Sequence, residues 1–121
     1  MAPLKTGLPA LLLAGCAIAT GVAGEIYVDR GQEPGWTVTI ADGRIAYLGD
    51  YGETRITVAR PHPRPTFNGL RYETARLTVD ITYVRCNDAM SGHGYAHQVL
   101  VTADGKTVEG CGGERRPDWD L

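Results

Sequence analysis

The chain has 121 residues, with 12 Lys and Arg against 14 Asp and Glu and a formal charge of −2. A mild, mixed charge with no basic run excludes the electrostatic footprint of a nucleic-acid partner. The length fits one domain with one small core. Sixteen glycines, and no run of helix formers, favour strands and turns.

In chain order, the first element is a leader. Lys5 precedes a stretch that stays uncharged from Thr6 to Gly24 and ends its apolar part in Leu13-Ala14-Gly15-Cys16. A charged start, a short apolar segment and small residues before a cut site read as an export signal. The segment resembles a bacterial lipoprotein signal with its lipobox. That resemblance implies acylation of Cys16, which becomes the first residue of the mature chain and anchors it to a membrane. Three other readings stay open: cleavage after Ala19 or Gly24, an uncleaved anchor, and a chance apolar start. A spanning helix needs about 20 apolar residues, and Pro9, Gly15, Gly21 and Gly24 weaken this one. Ala17 stands where an aspartate would retain a Gram-negative lipoprotein at the inner membrane, so the resemblance implies the periplasmic side of the outer membrane. The expected organisation is a signal peptide over 1–15, a lipidated tether over 16–24, a β-domain over 25–114 and a loose, charged tail over 115–121.

Strand signals fill the β-domain. Trp36, Val38 and Ile40 alternate with threonines, the period of a half-buried strand. Asp42-Gly43 supplies a hairpin turn, and Arg44 to Gly49 returns. Ile56 and Val58 mark another strand. Arg60 to Pro65 reads as a stiff loop, because proline lacks a ladder donor. Leu77, Val79, Ile81 and Tyr83 share one face of a strand running from Arg76 to Arg85. A second hairpin turns at Asp104-Gly105, with strands from Ala96 to Thr102 and from Lys106 to Gly110. The expected fold is all-β: a small antiparallel barrel or sandwich of about six to eight strands, with Trp119 of the tail folded back on it.

Cys86 and Cys111 bracket the last hairpin. In an exported protein a disulfide between them is the default, and it staples that hairpin. At this point a family resemblance emerges. Gly31 to Trp36, GQEPGW, resembles a G-x-E-P-F-W motif. Cys86 to Gly112 resembles a C-x-D-G-M-S motif that closes on G-C. Together they are similar to a family of small bacterial envelope lipoproteins of uncharacterised function. Gly35, Ala89 and Ala96 depart from the family's aromatic, glycine and proline. The resemblance implies a β-rich lipoprotein and supplies no catalytic residue.

Candidate sites concentrate in the loop from Cys86 to His97. It offers Asp88, Met90, Ser91, His93, Tyr95 and His97 as a possible binding loop. Asp88 and Ser91 suit turn caps. Met90, His93 and His97 are ligand types that suit copper. Ser91 with a histidine and Asp88 has the composition of a triad, but triad members converge from separate elements, so no catalytic residue is assigned. Ser91 to Tyr95, SGHGY, also resembles a fragment of periplasmic lysozyme inhibitors, in which a loop serine and a lysine enter the lysozyme cleft. Lys106 does not match that lysine's position. Glu33 and Trp36 are read as structural. The function expected is a lipid-anchored, extracytoplasmic, non-catalytic domain that binds an envelope protein or another ligand, or supports the envelope. Its alternatives are a lysozyme inhibitor and a copper-binding loop; no cofactor is assigned.

Overall fold

The structure, a computed structural model, describes residues 27–31 and 35–121. The leader with Cys16, the tether and Glu33 lie outside the described residues. Ten strands run in chain order: β1 (Tyr27–Gly31), β2 (Trp36–Ala41), β3 (Arg44–Gly49), β4 (Thr54–Ala59), β5 (Arg64–Thr66), β6 (Gly69–Glu73), β7 (Leu77–Thr82), β8 (Cys86–Asn87), β9 (Gly94–Ala103) and β10 (Lys106–Arg115). They form one antiparallel sheet in the order β4-β3-β2-β1-β10-β9-β7-β6-β5, with β8 on the end of β9. The sheet curls into a half-barrel.

The alternation seen in the sequence decides what the concave face holds. Trp36, Val38, Ile40, Ile45, Tyr47, Ile56, Leu77, Val79, Ile81, Val99, Val101 and Val108 are buried in one cluster. Both Asp-Gly pairs turn as expected. Asp42 and Gly43 have φ of 51° and 74°, and Asp104 and Gly105 have 47° and 85°. Two successive positive φ angles define the hairpin turn whose twist matches that of its strands.

The two halves of the sheet meet along a short ladder, in which β1 pairs with β10 at Asp29↔Gly112 and Arg30↔Cys111. Glycine is required there. A Cβ at Gly110 would strike the Arg30 carbonyl oxygen, and one at Gly112 would strike the Asp29 carboxyl. Cys111 belongs to the same ladder and is bonded to Cys86, Cα to Cα 5.6 Å. The disulfide therefore ties the junction strand β10 to β8.

Several expectations change. The strand expected to reach Arg85 stops at Thr82. The Val84 N–H bonds to the Thr82 carbonyl at 2.8 Å, which bends the chain before β8. Arg64 and Pro65, the end of the expected stiff loop, instead pair with β6 together with Thr66 at the sheet edge, where Pro65 needs no outward donor. These two short strands raise the count beyond that expected. The C-terminal segment is not loose. Asp120 accepts from Arg115 through both carboxylate oxygens at 2.8 Å and from the Gly94 N–H at 2.8 Å, and the Leu121 N–H bonds to the Gly92 carbonyl at 3.1 Å. Trp119 lies between the guanidinium groups of Arg85 and Arg116, 5.3 and 4.3 Å from its ring centre.

Breaking the bridge should be felt, because a small domain holds only about 5–15 kcal/mol in total and closing a loop of this length is worth about 3. Cys86→Ser and Cys111→Ser are each expected to lower stability by that order in denaturant unfolding. The double variant should match either single one, since each removes the same bond.

Candidate functional site at the open mouth of the half-barrel

The loop that the sequence singled out is largely occupied with its own turn. Buried Asp88 accepts, through Oδ2, the Ser91 N–H and the Ser91 hydroxyl, both at 2.9 Å. The Ser91 Oγ in turn accepts the His93 N–H at 3.1 Å. Met90 and His93 point to solvent. Tyr95 is buried, with the guanidinium groups of Arg30 and Arg115 5.9 and 5.7 Å from its ring centre. His97 leaves the loop altogether and joins the interior. Among the described residues no three His, Cys, Asp or Glu side chains form a metal cluster. Ser91 and Lys106 stand at opposite ends of β9, whose ten residues span roughly 30 Å. Lys106 there pairs with Asp50 at 3.1 Å. This arrangement gives no support to a serine and lysine acting in one cleft. Trp36 is core, with its indole packed against Gly31.

A different set of residues converges at one mouth of the half-barrel. Tyr27, Ile40, Arg60, Leu70, Tyr72, Ile81, Tyr83 and His97 line a cavity of about 240 Å³. Their positions follow from the ladders. Tyr27 pairs with Ile40, Leu70 with Ile81, and Tyr72 with Val79. Tyr83 and His97 lie just beyond the β7–β9 pairing, in which Ile81 opposes Val99. Arg60 is the first residue after β4, and its N–H is held by the Gly43 carbonyl at 2.8 Å. The His97 ring lies between Tyr27 and Tyr83, at centroid distances of 5.6 and 4.8 Å.

Burial pushes the Tyr27 phenol well above its ordinary value and pulls the His97 imidazole below its own. Tyr27 therefore keeps its proton, and its hydroxyl is hydrogen-bonded to His97 Nδ1 at 2.6 Å. Beneath them, on the same face of β1, Asp29 is fully buried, and neither carboxyl oxygen has a partner among the described residues. Burial raises its pKa to about 8, against a smaller lowering by Arg30. A neutral carboxylic acid is the form a dry interior tolerates.

Of these residues, Ile40, Ile81 and Tyr83 stood out in the sequence as strand-face residues, and His97 as a loop histidine. Tyr27, Asp29, Arg60, Leu70 and Tyr72 did not, because they come from segments with weak or no alternation. No family model, no curated protein and no solved structure matches the chain. Function is therefore argued from the site itself.

Asp29 gives a stability test with a definite sign. In the folded chain it binds its proton up to about pH 8, whereas in the unfolded chain it loses it near 3.8. The folded state thus holds the extra proton between those values, and stability falls as pH rises through the window. His97 acts oppositely, but only below its ordinary value of 6.5, where the unfolded chain binds the extra proton. Between pH 6.5 and 8 the fall belongs to Asp29. Denaturant unfolding of Asp29→Asn should lack this decline, so that the variant gains on the parent by up to about 1.4 kcal/mol per pH unit across the window.

Proposed function

We propose that the chain is an exported, lipid-anchored domain of the bacterial cell envelope, on the periplasmic side of the outer membrane, and that its half-barrel is a non-catalytic binding module. The observation that carries the export reading is the Cys86–Cys111 bond. It belongs in an oxidising compartment. It also uses two of the three cysteines, so that Cys16 is the one left for the lipobox it closes. A thioether to lipid accounts for that third thiol.

The binding reading rests on the mouth cavity, where aromatic and aliphatic walls meet polar groups that the fold does not use. Two features speak against catalysis. Tyr27 faces an imidazole yet is held in its protonated form, the reverse of an activated nucleophile. Asp88 and Ser91, whose types suit acid–base work, are engaged in building a turn.

Intact-mass measurement of membrane-extracted protein is expected to show a chain beginning at Cys16 with acyl mass added. Cys16→Ser should leave the membrane fraction. A soluble product beginning at Thr20 or Glu25 would contradict the anchored reading.

A further inference from the structure

We infer that the mouth cavity binds a small organic carboxylate, with an apolar or aromatic body against Ile40, Leu70, Ile81 and Tyr83 and its anionic end at Arg60. The inference rests on the binding-module reading and supplies its ligand class. The walls are Ile40, Leu70 and Ile81 with the rings of Tyr27, Tyr72 and Tyr83, which suit an apolar or flat body. At about 240 Å³ the space lies below the roughly 300–1,000 Å³ of drug-sized sites, so the ligand is small.

The polar groups select its charge. Arg60 lines the cavity, and its guanidinium makes no ion pair among the described residues. Its planar fork matches a carboxylate with two parallel hydrogen bonds. The Tyr72 and Tyr83 hydroxyls have no partner among the described residues, and His97, bonded to Tyr27 through Nδ1, has no further hydrogen bond among them at Nε2. The site therefore offers donors and one fixed positive charge. Among the described residues no carboxylate lines it, and the acid on β1, Asp29, has its pKa raised by burial to about 8.

This arrangement gives the site a pH dependence of known sign. Among the described residues, the charged or titratable groups that face the cavity or Asp29 are Tyr27, Tyr72, Tyr83, His97 and Arg60, with Arg30 beside Asp29 on β1. When Asp29 ionises near pH 8, a negative charge appears behind the cavity wall, and an anionic ligand is repelled. Affinity for a carboxylate should fall as pH rises from 7 to 9.

The test uses the full lipidated chain in detergent, titrated calorimetrically with 3-phenylpropionate and with its neutral amide. The acid should saturate, and the amide should bind at least about ten-fold more weakly. Arg60→Gln should abolish that preference while leaving the melting temperature unchanged. Tyr83→Ala should weaken both probes by removing a wall. The acid's affinity should drop severalfold between pH 7 and 9 in the parent and hold steady in Asp29→Asn. Equal binding of acid and amide, or an acid preference that survives Arg60→Gln, overturns the inference and leaves the binding-module reading standing. Failure of the acid to saturate by about 10 mM overturns the inference as well. The mass of Cys16 decides the anchored reading independently.

Discussion

Among the described residues the sheet stays open, and much else follows from that. Its two edges, β4 and β5, are consecutive in the chain yet lie at opposite ends of the strand order. Residues 60–63 carry the backbone across, so the end of β4 lies within about 18 Å of the start of β5. Pro61, Pro63 and Pro65 deny the crossing the donors that would zip the edges together. The curl brings the edges near each other and the prolines keep them unpaired. A mouth stays open there. Arg60, the first residue of the crossing, lines that mouth with its backbone anchored to the β2–β3 turn.

A second constraint lies at the opposite point of the sheet, where β1 meets β10. The ladder is short and its inward positions are Asp29 and Gly112. A carboxyl over a glycine fills the space that two apolar side chains would otherwise contest. The cost is an acid kept neutral by burial, and that cost grows with pH because the unfolded chain ionises it freely. The disulfide from Cys111 to Cys86 bears on the same junction, holding β10 while the ladder beside it contributes little. Stability, proton binding and the electrostatics of the cavity thus share one short stretch of the sheet.

Much of the fold was legible in the sequence. Trp36, Val38 and Ile40, and Leu77, Val79 and Ile81, alternate cleanly because their strands have one wet face and one dry face. The two Asp-Gly turns were legible because few residues tolerate successive positive φ angles. Tyr27–Gly31 was not legible as a strand, since its inward residues are a tyrosine, an acid and a glycine, a pattern without hydrophobic period. β5 and β8 are too short to show any period. The C-terminal segment read as loose because its residues are charged, whereas those charges hold it through Arg115 and Asp120. The site was harder still. The polar loop from Cys86 to His97 drew attention by composition, but its polar groups serve a turn. The mouth cavity gathers residues from β1, β2, β6, β7, β9 and the crossing after β4, and only the strand order brings them together.

The open seam is the claim on which this account rests, and amide hydrogen exchange tests it directly. The N–H groups of Thr54–Ala59 that face away from β3 should exchange rapidly. Those of Val99–Val101 in β9, paired on both sides, should approach the protection of global unfolding. Protection of every β4 amide at the level of β9 would mean that the seam is paired, and would contradict the open mouth.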